Sequence, residues 1–175
     1  MMKKITFFIS LAVSSVLFNS CSGPAEEKSV ELTNLVLTAE GPLYEGSNTF
    51  QTTVTEPLKK FLSENGLTAE NIQEIKVAKC VLTATDSNAF NMYSGINVQL
   101  FSDNSEMQNV AVVNPVPENK EQIEAKVAAE QEKIADIFKD KDVYVVGDAL
   151  LKEDVEDNLQ FTVSLTLNVK HDKTK

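Results

Sequence analysis

The side chains with the most chemical capacity in this sequence are two cysteines, Cys21 and Cys80, and a single histidine, His171. A histidine-based zinc site needs several ligands, and a Ser-His-Asp arrangement needs an oriented imidazole held in a structured site. His171 stands instead in the segment "KHDKTK", with no apolar neighbour after the last alternating run, and is predicted to be exposed and idle in a tail. Cys80 is flanked by Lys79 and Val81 inside an apolar-rich run. A nearby lysine can activate a thiolate, but no orienting base accompanies it, so the expectation is a small buried hydrophobe.

Four acidic clusters, at residues 86–91, 102–106, 139–142 and 152–158, are candidate calcium loops by composition. None has the alternating oxygen ligands, glycine and distal glutamate of an EF-hand, and all read as strand-connecting turns. No catalytic residue, metal ligand or cofactor is therefore expected, and the chain is read as not an enzyme. Two tyrosines remain as ligand-binding candidates. Tyr44 and Tyr93 lie beside Gly46 and Gly95 in predicted loops, where an aromatic ring can stack on a sugar; loop tyrosines covering one end of the fold are the plainer account.

Charge narrows the partners. The chain carries 16 Lys against 26 Asp plus Glu, a formal charge of −10, and it has neither arginine nor tryptophan. Bidentate recognition of phosphate or guanine thus lacks its usual residue, and the net field repels polyanions, so nucleic acid is not an expected partner. The same field opposes adsorption to anionic headgroups, which leaves covalent or apolar attachment as the route to a membrane.

The first twenty residues have the layout of a targeting leader: a basic start (MMKK), an apolar stretch from Ile5 to Phe18, then Asn19 and Ser20. Fourteen residues at 1.5 Å each span about 21 Å, too short for a hydrocarbon core of about 30 Å. The sequence Phe18-Asn19-Ser20-Cys21 resembles the lipobox of bacterial lipoproteins, with Ser20 as the small residue before the cut and with Phe18 and Asn19 departing from the commonest pattern. The resemblance implies cleavage before Cys21, a diacylglyceryl thioether on its sulfur and acylation of the new amino terminus, and hence a stable membrane anchor. Cleavage before Gly23, or a disulfide between Cys21 and Cys80, are the alternatives.

By that reading residues 1–20 are a signal peptide, 21–30 a lipidated cysteine with a flexible acidic tether, 31–170 one domain and 171–175 a C-terminal tail. The expected location is the cell envelope, lipid-anchored at the outer membrane. Ser22 after the cysteine and the pair Glu26-Glu27 resemble outer-membrane sorting and surface-export signals, which leaves the periplasmic and surface faces both open.

Beyond Val30 the dominant pattern has a period of two. From Phe161 to Lys170, Phe161, Val163, Leu165, Leu167 and Val169 alternate with polar residues, the pattern of a strand buried on one side. Weaker cases at residues 32–41, 48–54, 72–85, 95–101, 109–114 and 142–151 complete seven predicted strands, with a bulge or bend expected in 72–85. Two helices interrupt them. One is short, from Thr55 as N-cap to a stop at Asn65-Gly66; the other is long, from Glu118 to Lys139, with Ile123, Val127, Ile134 and Phe138 on a stripe. The expected fold is a mostly β antiparallel β-sandwich, with the immunoglobulin-like arrangement as one form of it. The expected function is a non-enzymatic binding or structural domain on the envelope, with an envelope protein as partner. The alternative is a carrier of a small hydrophobic or saccharide ligand in a pocket lined by Ile123, Val127 and Ile134.

Overall fold

The computed structural model describes residues 25–85 and 90–172. Cys21, the leader and the proposed cleavage site lie outside the described residues. Eight strands carry the fold: β1 (Glu26–Ala39), β2 (Gly46–Thr55), β3 (Ile72–Ala84), β4 (Tyr93–Ser102), β5 (Ser105–Val113), β6 (Gln122–Val127), β7 (Asp142–Leu151) and β8 (Leu159–His171). Two short helices are added, α1 (Lys59–Asn65) between β2 and β3, and α2 (Ile134–Ile137) between β6 and β7.

All strand pairs are antiparallel, in the closed order β1-β2-β7-β4-β5-β6-β3-β8. Most of the pairing lies within two arcs, β1-β8-β3-β6 and β2-β7-β4-β5. The arcs are joined by Thr38↔Gln51 on one side and by Ala111↔Val127 and Val112↔Lys126 on the other. The order is that of a jelly roll.

This closed barrel corrects the expected β-sandwich, and the reason is one element. The segment read as the start of a long helix contains β6, in which Ile123 and Ala125 point inward while Gln122, Glu124 and Lys126 point out. Ile123 and Val127 satisfy helical and strand spacing alike. Pairing of the segment to Cys80–Thr83 of β3 and to β5 decides for the strand, and it also closes the barrel. Only Ile134–Ile137 of the predicted 118–139 helix is helical.

Inward positions are apolar and outward ones polar, the reverse of a lipid-facing barrel. Phe50, Phe90, Tyr93 and Phe161 form the centre of the upper core, with ring centroids 5.0–6.1 Å apart. Gly147 on β7 is required by this packing: a Cβ there would stand 2.7 Å from Phe161 Cζ. The interior is filled by side chains, as expected for a small barrel.

β3 bends as its mixed faces foretold, with register shifts against β8 at Ile72/Glu74 and Val77/Lys79. Next to the second shift, buried Gln131 takes the place of a neighbouring strand. Its Oε1 accepts from Val77 N–H (2.7 Å), and its Nε2 donates to the carbonyls of Val77 (3.1 Å) and Ala128 (2.8 Å). One amide side chain thereby satisfies backbone groups that β6 is too short to reach.

Two boundaries move. Strand β1 begins at Glu26, inside the segment 21–30 read as tether, and β8 runs through His171, inside the segment read as tail, because Glu26 pairs with His171 and Ile72 pairs with it from the other side. Thr55, read as a helix N-cap, is the last residue of β2 and faces Asp142; Leu58 occupies the cap position of α1.

Candidate functional site

The barrel has two chemically distinct ends. Strand directions place the loops at 40–45, 114–121 and 152–158, with residues 85 and 90–92, at one end. The other end holds α1, α2, the β4–β5 turn, the start of β1 and the end of β8.

Three of the residues singled out in the sequence turn out to be structural. Tyr93 is 3 % exposed and packs edge-on against Phe50 and Phe161. Tyr44 is 66 % exposed on the loop before β2. The two tyrosines therefore form no shared sugar platform: one is core and the other stands alone. A half-buried aromatic pair lies elsewhere, where Phe101 and Tyr144 stack at 4.6 Å and 15° on adjacent strands. The Tyr144 hydroxyl donates to Asp103 (3.1 Å), and that bond with the adjacent negative charge raises its pKa.

Cys80 is fully buried between Leu165 and Ala125 on the neighbouring strands, and burial pushes its thiol up to about 12, the opposite of an activated nucleophile. His171 is 2 % exposed, which corrects the exposed tail. Its Nδ1 lies 2.9 Å from the Asp172 carbonyl, its Nε2 has no hydrogen-bond partner among the described residues, and its ring meets Phe61 of α1 at 6.0 Å. The period of two running through Val163, Leu165, Leu167 and Val169 lands on His171, and that was the signal that could have placed it inside. Cys80 pairs with Leu165, six residues from His171 along β8, so about 20 Å separates the two groups. Among the described residues no group of three or more His, Cys, Asp or Glu could hold a metal ion.

Ile123 and Ile134 are buried and Val127 is packed against the same core, so the pocket expected among these three residues is filled. The space lies one element away. A groove of about 480 Å³ separates α1 from the segment after α2, with Leu58, Leu62, Leu67 and Phe138 forming its apolar surface and Glu56, Lys59, Lys139, Asp140 and Lys141 around it.

Its geometry follows from the sequence at α1. Leu58 and Phe61 turn into the barrel end, while Leu62 stays half-exposed toward the groove. Gly66 adopts φ 63°, ψ 33° and ends the helix, with Leu67 N–H bonding the Leu62 carbonyl at 2.9 Å; this folds Leu67 back beside Leu62. Opposite, Glu56 N–H donates to the Lys141 carbonyl at 2.6 Å and holds the two walls together.

The charges on the rim are mostly committed to one another. Lys59 pairs with Glu56 (2.6 Å) and Lys139 with Asp136 (2.9 Å). Asn104 donates to Asp140 from its backbone (3.2 Å) and its side-chain amide (3.0 Å). The neighbouring Ser102 hydroxyl, together with these donors, holds the Asp140 carboxyl below the usual range. Lys141 is exposed, and its ammonium has no acidic or hydrogen-bonding partner among the described residues. A groove with an apolar base and a charged rim has the form of a site for a small amphipathic ligand.

No protein-family model matches the chain, and no curated protein resembles it in sequence. Among solved structures, a chain of Desmodium yellow mottle tymovirus is similar over 100 % of this chain and 97 % of its own, at 12 % identity and a TM-score of 0.32. A chain of turnip yellow mosaic virus is similar over 99 % and 93 %, at 10 % identity and a TM-score of 0.28. Likenesses this slight carry no functional information.

Proposed function

We propose that this chain is a lipid-anchored protein of the cell envelope, held at the outer membrane through Cys21, whose barrel is a non-enzymatic binder of a small hydrophobic ligand. The anchor is supported by the Phe18-Asn19-Ser20-Cys21 sequence after an apolar leader. The binding reading is carried by one observation: the barrel interior is filled, whereas a groove of about 480 Å³ beside α1 stays open, with Leu62 half-exposed on its wall and Leu58, Leu67 and Phe138 buried at its base. Its volume falls within the range of about 300–1,000 Å³ usual for small-molecule sites.

A protein partner in the envelope is the second reading, favoured by a patch near the far end. There Leu150 and Val112, each more than 40 % exposed, lie on the strands either side of β4, and Gly95 between them has no side chain.

Mass spectrometry of the chain purified from an envelope fraction tests both parts of the proposal. Intact mass should show a chain beginning at Cys21 with added acyl groups, and an unmodified chain beginning at Gly23 would remove the anchor. Native spectra should show a co-purified small apolar ligand or saturable uptake of an added one. Neither, together with a stable complex with another envelope protein, would favour the second reading.

A further inference from the structure

We infer that His171 is a proton-operated latch: neutral, it holds α1 against the barrel end, and protonated, it lets the C-terminal half of α1 go. This goes beyond the binding reading and stands whether or not the groove takes a ligand.

The surroundings of the ring set the latch. His171 is the only histidine, it is 2 % exposed, and the Asp172 carbonyl lies 2.9 Å from its Nδ1. A carbonyl only accepts, so Nδ1 carries the ring proton and donates it, which leaves Nε2 as a lone pair. Nε2 is buried and has no hydrogen-bond partner among the described residues. A second proton would therefore place a charged donor where nothing accepts it.

The neighbouring charges do not supply that acceptor. His171 stands in one row with Glu26 of β1 and Ile72 of β3, so Glu26 carries the one carboxylate of that row. It makes no bond to Nε2 in this arrangement, and pairing the two requires the contacts of the ring to change. Glu27 and Lys170 pair in the next row, on the opposite face. The Asp172 carboxylate accepts from Gln73 at 2.5 Å, and Glu74 is bound to Lys76 at 2.6 Å. On α1, exposed Lys60 and Glu64 face each other at 3.9 Å, and the Lys28 ammonium bonds the side chain of Asn65.

The element that gives way is α1. Its seven residues are too few to hold a helix in water alone, so its order depends on what its buried side chain touches. That side chain is Phe61, whose ring meets His171 edge-on at 6.0 Å and 67°. Opening at this contact gives Nε2 access to water. The open form then takes the second proton at the ordinary imidazole pKa of about 6.5, so closure is fully favoured above that pH and weakens by up to about tenfold per pH unit below it.

Hydrogen exchange of the full chain, expressed as protection factors at pH 7.5 and 5.5, tests the latch in a window where ordinary carboxylates stay ionised. The amides of Leu62 and Leu67 bond the carbonyls of Leu58 and Leu62, and both should lose about tenfold in protection at the lower pH while the amides of β7 stay within about twofold. In His171→Leu the same two amides should be equally protected at both pH values. The wild-type ring reports without any variant, because no other histidine overlaps it: its nitrogen spectrum at pH 7.5 should show the Nδ1-protonated form. The Nε2-protonated form at pH 7.5 would overturn the inference, as would equal protection of Leu62 at the two pH values in wild type. A ring that is protonated by pH 5.5 with α1 still fully protected would overturn it too, and so would a wild-type pH response in His171→Leu.

Discussion

The barrel interior and the α1 groove are built from the same kinds of residue and behave as opposites. In the interior, Phe161 is enclosed by Phe50, Phe90 and Tyr93, and even the absent side chain of Gly147 is part of the fit. In the groove, Leu62 stays half-exposed near the end of α1, where Gly66 stops the helix. Apolar surface enclosed on all sides stabilises the fold. Apolar surface left concave and open is available to a ligand. The comparison teaches that the hydrophobic content of a small barrel says little about binding until one asks which residues the closure encloses.

The comparison can be broken most directly by truncation on each side. Phe161→Ala should destabilise the protein by about 3–5 kcal/mol in urea or thermal unfolding, whereas Leu62→Ala should cost less than about 1 kcal/mol and reduce ligand affinity instead. Similar losses at the two positions would mean that the groove is simply more core.

A somewhat smaller effect is expected where the interior meets the irregular β6–α2 segment. Gln131→Ala leaves the Val77 amide and carbonyl buried without their partner and should cost about 1–3 kcal/mol. Hydrogen exchange should show the Val77 amide losing protection first. An unchanged Val77 protection would show that the glutamine bridge contributes nothing.

The last test concerns Cys80 and pH, and its effect is confined to alkaline solution. Its folded pKa of about 12 lies above the ordinary value of 9.0, so above about pH 9 the unfolded chain loses the thiol proton while the folded one keeps it. The unfolded state then binds fewer protons, and stability falls as pH rises from about 9 to about 12; the contribution is fully present below 9. The difference between wild type and Cys80→Ala in unfolding free energy should change across that window alone. Fast alkylation of Cys80 in the native protein would contradict its burial.

How much of this was legible in the sequence varied with how local the deciding force was. Strand β7 coincides with the segment read as "DVYVVGDALL", and β8 follows from five alternating apolar residues, because one-sided burial writes its period directly into the chain. The stop at Gly66 was legible for a similar reason, since a left-handed residue after a helix is usually glycine.

Strand β6 was not legible. Its Ile123–Val127 spacing fits both periods, and only pairing with β3 and β5, distant in sequence, selects the strand. Missing it cost both the closed barrel and the filling of the pocket expected among Ile123, Val127 and Ile134. His171 was misplaced because its polar neighbours outweighed a register that continued through it. The groove residues Leu58, Leu62, Leu67 and Phe138 come from two segments some seventy residues apart, brought together only by closure. Of the site, the sequence carried the apolar face of α1 and the apolar Phe138, but not that the two meet.

The central claim, that ligand binds at the α1 groove and not within the barrel, is tested most directly by placing a reporter there. The chain has no tryptophan, so Leu62→Trp introduces a single fluorophore into the groove. On titration with dodecanoate its emission should move to shorter wavelength and saturate in step with the calorimetric binding curve. Saturable binding by calorimetry with unchanged tryptophan emission would contradict the account, because the ligand would then reside somewhere other than the groove.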